Sequence, residues 1–322
     1  MKGKVVFGIV ALLIVTLAAS AHPQAYPTKP VMLLVAYPAG GGTDIGARIL
    51  AAIAQKELGQ PIVVLNKAGA GGQVGFMELS KQKPDGYYIG FINLPSLNTI
   101  ILDPQFKATF TLDSFTPIIN QVLDPGIVYV KSDSPYKELK DLIADAKKRP
   151  GEVKGGSTGI LSDDHLSMLM MEEAAGVKFR MVFFEGDAPH VTAILGGQID
   201  FGFLNVGGQV PKVKGGQLRA LAVMDTERVK FYPDVPTTVE LGYPTIISSS
   251  TRGIAGPKGM PEPIVKKLQD VFKKAIEHPQ HREKMDQTGL PIKIMVGDEY
   301  RKYIMDFHEK LKKLVEQARK DR

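Results

Sequence analysis

The stretch VMLLVAYPAGGGTDIGARILAAIAQKEL (31–58) restricts the possible folds more than any other part of the chain. Val31 to Tyr37 form a continuous apolar run, as expected of a strand covered on both faces within a parallel sheet. The glycines Gly40 to Gly42 then turn the chain. From Thr43 to Leu58 the spacing of Ile45, Ile49 and Ile53 marks one apolar helical stripe. A buried strand that passes through a glycine turn into a helix is the first half of a doubly wound unit.

The same alternation recurs along the chain. PIVVLNK (61–67), a helix near Val74–Gln82 and YYIGFIN (87–93) follow in order. GIVYVKS (126–132) precedes a helix expected to open at Ser134-Pro135, an N-cap with proline at the first helical position. FRMVFF (179–184), IDFGFLN (199–205) and LRALAVM (218–224) read as further strands. The pattern predicts α/β lobes with largely parallel sheets. A chain of 322 residues exceeds what one core usually serves, so two lobes are expected. Crossings between them are expected at Asn120–Gly126, where Pro125-Gly126 would separate two strands, and within Pro233–Gly259. This assigns 26–122 plus 248–322 to lobe I and 123–247 to lobe II. The last helix, Glu299–Arg319, carries Tyr303, Phe307, Leu311 and Leu314 on one face, which reads as a docking surface. There is no internal repeat and no low-complexity segment.

At the N-terminus, Lys2 and Lys4 precede an apolar run from Val5 to Ala19. That run falls short of a membrane span, which needs roughly 20 apolar residues. Ala19-Ser20-Ala21 then offers a small-residue cleavage site, so residues 1–21 are expected to be a signal peptide, with cleavage after Ala25 as the alternative. The mature protein is therefore expected in the periplasm. The chain contains no cysteine, which excludes a lipid anchor at the leader, disulfides and thiolate metal sites. The formal charge of +6 is spread thinly and forms no basic cluster with interleaved aromatics, which argues against nucleic acid as a partner. A weak positive balance suits the attraction of an anionic solute.

The chemistry suggested by the glycine turns is anion binding. Glycines let backbone N–H groups converge, and a helix N-terminus adds unpaired donors and a positive dipole end. A second such turn, KAGAGGQVG (67–75), follows the second strand. Ligands bind at this edge of an open parallel sheet. Either turn alone could be a tight connection with no ligand. Neither carries the Gly-Lys-Ser/Thr of a P-loop, and the loose dinucleotide-like pattern at Gly69 to Gly75 follows the wrong strand.

KPVMLLVAYPAGGGTDIGARILA, GQPIVVLNKAGAGGQVG and KPDGYYIGF resemble the opening of the substrate-binding proteins of tripartite tricarboxylate transporters, the Bug or TctC-like family. GGSTGILSDDHLS, ILGGQIDFGF, GGQLRALAV, PDVPTTVELGYP and RGIAGPKGMP continue the resemblance in order through nearly the whole mature chain. It implies a type II periplasmic-binding-protein fold with a ligand cleft between two doubly wound lobes. It also implies a non-enzymatic monomer that binds a small organic carboxylate, without cofactor or metal, and delivers it to membrane permease subunits. Carried over residue by residue, one ligand loop is Ala39, Gly40, Gly41, Thr43 and Asp44. The other is Ala68 to Gly72, with Ala70 and Gly71 at its tip. Ser157 and Thr158 match the facing polar turn, with Asn205 as a further contact. Two departures bear on the ligand. Phe184-Glu185-Gly186 stands where the family usually has Tyr-Lys-Gly, and Thr251, followed by Arg252, stands where a tryptophan is common.

Two other readings compete with this one. Gly155-Gly156-Ser157-Thr158-Gly159 satisfies the G-x-S-x-G pattern of a hydrolase nucleophile elbow. Its triad partners are poorly placed, however. His165 falls in the helix right after the elbow, His190 has no suitable acid between it and Ser157, and His278, His281 and His308 lie in or beside charged helical stretches. The third reading, a ligand-binding partner of a sensor kinase, shares the same cleft. Asp163-Asp164-His165 are consecutive on a helix and do not converge as metal ligands. Met168, Met170 and Met171 read as core packing.

Overall fold

The computed structural model describes residues 26–320; the expected leader lies outside the described residues. The first strands are β1 (Val31–Val35), β2 (Ile62–Asn66) and β3 (Tyr88–Leu94), then the long β4 (Phe115–Lys131). β5 (Lys154–Ser157), β6 (Arg180–Phe183), β7 (Phe201–Asn205) and β8 (Leu218–Val223) follow, and β9 (Ser249–Pro257) and β10 (Ile292–Val296) complete the set. The helices of the N-terminal part are α1 (Gly42–Leu58), α2 (Gln73–Ser80) and α3 (Ser96–Leu102). The middle part contributes α4 (Leu139–Lys148), α5 (Asp163–Ala175), α6 (Asp187–Leu195) and α7 (Val210–Lys214). The C-terminal part contributes α8 (Glu262–Glu277), α9 (Pro279–Thr288) and α10 (Asp298–Lys320).

The strands run in the order β2-β1-β3-β9-β4-β7-β5-β6, with β10 and β8 also on β4. β2-β1-β3 and β7-β5-β6 are parallel. β9, β4, β8 and β10 join them antiparallel, so the sheets are mixed rather than largely parallel. The reason is β4. Its first part pairs with β9 and β10, and its last part, from Gly126 on, pairs with β7 and β8. The expected break at Pro125-Gly126 is therefore absent. Pro125 lacks an N–H, but its carbonyl accepts from Val206 N–H at 3.2 Å, and Gly126 N–H donates to Ser248 O at 2.9 Å. One continuous strand serves both lobes.

β1 is covered on both faces, as its apolar run requires. Val31, Leu33 and Val35 pack with Ala47, Leu50 and Ala54 of α1 and Leu268 and Phe272 of α8. Leu34 and Ala36 meet Phe76, Leu79 and Tyr300 on the other side. Each such large side chain contributes about 1.5–3 kcal/mol on burial. The apolar face of α1 is broader than the isoleucine stripe suggests. Ile53 joins the main core, while Ile45 and Ile49 pack beside Met285 and Leu290. Gly59, at φ 76°, ends α1 in the left-handed conformation, and its N–H bonds Gln55 O at 3.0 Å.

Ser134 does not open a helix. It closes a turn onto Lys131 O, and α4 begins later with Glu138 and Asp141 in a reciprocal capping box. In α10 the expected docking face is real. Tyr303 and Phe307 pack against the core cluster that holds Leu97 and Ile100 of α3, and Leu311 buries against Leu161 and Leu166 of the α5 region. No helix among the described residues is long and apolar enough to cross a membrane.

Candidate functional site

One cavity lies between the C-terminal ends of the two parallel strand sets. From one side come Ala39, Gly41, Gly42 and Thr43 at the start of α1, with Asn93 and Ser96 at the end of β3. From the other come Thr158, Asp163, Asp187 and Asn205. Ser250 and Arg252, on β9 between the two sets, complete the working surface.

The loop before α1 is held in shape by Asp44. Its Oδ2 accepts from Gly40 N–H at 3.0 Å and from Arg48 Nε at 3.0 Å, and its Oδ1 accepts from Asn66 Nδ2 at 2.9 Å. Burial raises the pKa of this carboxyl, but Arg48, Gly40 N–H and Asn66 together outweigh it and hold the group below the usual aspartate range. With Asp44 turned back into the loop, Gly42 N–H faces the cavity. That donor is taken by the carboxylate of Asp187, whose Oδ2 lies 3.1 Å away on the first turn of α6. The helix N-terminus thus holds a carboxylate, supplied by the facing lobe.

Arg252 is the charged centre of the floor, only 3% exposed. Its Nη1 pairs with Asp124 Oδ2 at 2.5 Å, and its Nη2 donates to Asn205 Oδ1 at 3.3 Å. Asn205 in turn donates from Nδ2 to Asp163 Oδ2 at 2.8 Å. Burial pushes the Asp124 carboxyl up to about 6 against the opposing pull of Arg252 and Gly207 N–H. Burial also raises Asp163, and raises Asp164 further with help from the Asp163 charge. Asn93 donates to Thr43 Oγ1 at 2.8 Å. Its Oδ1 and the Nε of Arg252 are buried without a partner.

Of the residues expected from the sequence, Ala39, Gly41, Thr43, Thr158 and Asn205 are brought together on this wall, while Gly40, Asp44, Ala70, Gly71 and Ser157 lie off it. Gly40 and Asp44 act within the loop, as above. Ala70 and Gly71 have positive φ, 48° and 65°. This turn approaches the one after β5, where a Cβ on Gly159 would lie 3.9 Å from Gly71 Cα. Thr158 is tied to Asp164 Oδ2 through both its N–H, at 3.1 Å, and its hydroxyl, at 2.6 Å.

Ser157 is fully buried, with its hydroxyl on Gly159 O and Ser162 Oγ, each at 3.1 Å. No imidazole among the described residues is bonded to it. His165 Nδ1 accepts from Leu161 N–H at 2.9 Å. His190 lies over Gly156 and Gly202, where a Cβ would sit 2.3 and 2.4 Å from its Nε2, and stacks on Phe184. The nucleophile–base contact that an elbow serine needs is missing. Among the described residues no three His, Cys, Asp or Glu side chains are grouped to hold a metal.

Sequence reasoning missed Asn93, Ser96, Asp187 and Ser250, named Gly42 only as part of the glycine turn, and flagged Arg252 only as the neighbour of a departure. It placed the unusual negative charge at Glu185, which is exposed and off the wall, whereas the acid in the cleft is Asp187, two positions on. Thr251 is buried away from the wall, and Arg252 is the residue presented.

Comparison with known proteins agrees with this architecture. Residues 46–319 match the tripartite tricarboxylate transporter family receptor. Protein BugT of Bordetella pertussis is 32% identical over 293 residues, covering 90% of this chain and 89% of BugT. The structure of MatC from Rhodopseudomonas palustris with bound malate superposes with a TM-score of 0.84 at 26% identity, covering 90% of this chain and 100% of that one. A second R. palustris protein, solved with adipate, superposes with a TM-score of 0.86 at 26% identity, covering 91% and 98%. With two lobes on a shared strand, a cleft at the strand ends and family sequence along most of its length, the chain belongs to the tripartite tricarboxylate transporter receptors, the TctC or Bug solute-binding proteins.

Proposed function

We propose that the protein captures a small organic carboxylate in the cleft between residues 26–122 plus 248–322 on one side and 123–247 on the other. It then presents the loaded clamp, as a periplasmic monomer, to the membrane subunits of a tripartite tricarboxylate-type transporter. The observation that carries this reading is the hydrogen bond from Gly42 N–H to a carboxylate oxygen at the N-terminus of a 17-residue helix. A donor at that position, reinforced by the helix dipole, is suited to an anion. The malate and adipate bound by the two R. palustris proteins are of the same chemical class. The hydrolase alternative is not favoured, because the Ser157 hydroxyl is bonded to Gly159 O and Ser162 Oγ rather than to an imidazole.

Calorimetric titration of carboxylic acids against their amides and methyl esters tests the reading. The acid form of any bound compound should bind at least about tenfold tighter, a difference of about 1.4 kcal/mol. Equal affinity for acid and amide would sink it.

A further inference from the structure

The cleft wall carries more carboxylates than cations. Asp163 and Asp187 line it beside a single guanidinium, Arg252, and that guanidinium is already paired with Asp124 at 2.5 Å. Any second carboxylate on a ligand would face Asp163 and Asp187 with no uncommitted cation on the wall to offset them. Like charges brought together in a partly desolvated site repel strongly.

A separate observation concerns the floor. Asn93 is 95% buried by its 5% exposure, lines the same cavity, and leaves Oδ1 without a donor. A buried acceptor of this kind is costly to leave unmet. On the neighbouring strand, Arg252, the register partner of Asn93, leaves its Nε without an acceptor. Two register-paired residues of the wall thus hold one unmet acceptor and one unmet donor.

We propose that Asp187 is a specificity-determining residue, selecting carboxylates that also bear a protonated amine over the corresponding plain acids. The inference rests on the carboxylate reading and deepens it. The ligand carboxylate takes over Gly42 N–H and meets Arg252, while its ammonium pairs with the displaced Asp187 carboxylate and donates to Asn93 Oδ1. A plain dicarboxylate must displace Asp187 and then remain beside it.

The test is a calorimetric titration at pH 7 with matched pairs: aspartate and succinate, glutamate and glutarate, 2-aminoadipate and adipate, γ-aminobutyrate and butyrate. Wild type should bind the amino member of at least one pair at least tenfold tighter than its partner. Asp187→Asn should reduce that preference to threefold or less, chiefly by weakening the amino compound. Asp187→Ser, which keeps a hydrogen-bonding group on the first turn of α6, should do the same, and melting curves identify any variant that fails to fold. Tighter or equal binding of the plain acids by wild type overturns the inference and leaves the carboxylate reading standing. A preference unchanged in both folded variants also overturns it. Binding of none of the eight compounds counts against both.

Discussion

Asp124 and Arg252 form a fully buried ion pair, 2.5 Å apart, that joins the long strand β4 to its antiparallel neighbour β9. Asp124 also accepts from Gly207 N–H, at 3.1 Å. The pair thus ties the strand shared by both lobes to the segment that follows β7. It also fixes the guanidinium in the floor of the cleft.

Breaking this pair should be far more damaging than removing it. Arg252→Met leaves a carboxylate stranded out of water, and losses of about 3–5 kcal/mol are typical of that change. Replacing both partners, as Asp124→Leu with Arg252→Met, should recover most of the loss. Urea unfolding of the two single variants and the double variant measures this. A double variant as unstable as the sum of the singles would show that the residues do not act as a pair.

A second consequence concerns pH. His190 is buried with neither ring nitrogen bonded, and burial pushes its pKa down to about 3. The unfolded chain takes up a proton near the ordinary histidine value of 6.5, while the folded protein does not until about 3. This histidine should therefore erode stability as pH falls from about 6.5 towards 3, by up to about 1.4 kcal/mol per pH unit. His281, lowered to about 4, acts in the same direction, whereas Asp124, raised to about 6, acts in the opposite one. Comparison of wild type with His190→Leu between pH 7 and 4 isolates the term. The variant should lose less stability on acidification, and parallel curves would refute the assignment.

A third prediction concerns Asp44, which shapes the loop rather than touching the cavity. Asp44→Ala removes the acceptor for Gly40 N–H, Arg48 and Asn66 together. The loop should loosen, with a loss of about 1–3 kcal/mol and weaker ligand binding, even though no wall residue has changed. Asp44→Asn keeps one acceptor oxygen and should do less harm. Amide exchange at Gly40 reads the loop directly, and protection unchanged from wild type in Asp44→Ala would count against this role.

These residues also show where sequence reading succeeds and where it stops. The turn into α1 is legible because a run of apolar residues, three glycines and a helical stripe are all local signals. Asp44 is visible for the same reason, but its direction is not, since its partners Arg48 and Asn66 lie on a later helical turn and on β2. Asn93 and Arg252 become neighbours only through the β3–β9 register, across a separation in sequence that carries no periodic signal. Asp187 reaches Gly42 from 145 positions away. The continuity of β4 was hidden by Pro125, a strand breaker by propensity, which here sacrifices a single ladder donor while its carbonyl stays paired.

Ser157 gives the last and most discriminating prediction. As a ligand contact it would weaken binding directly when truncated, and as an elbow nucleophile it would abolish an esterase rate. The structure gives it neither position. Its hydroxyl is enclosed, bonded to Gly159 O and to Ser162 Oγ, the oxygen that also caps α5 by accepting from His165 N–H at 3.3 Å. Ser157→Ala should therefore act on the turn, costing about 0.5–1.5 kcal/mol for the lost hydrogen bond. Any effect on ligand affinity should be smaller than the effect of Asp44→Ala, because no wall group is lost. Melting curves, ligand titrations and an activated-ester assay on wild type and Ser157→Ala separate the three roles. Serine-dependent turnover in wild type would restore the hydrolase. A large loss of affinity with unchanged stability would place Ser157 in contact with ligand, against its enclosed hydrogen bonds to Gly159 and Ser162.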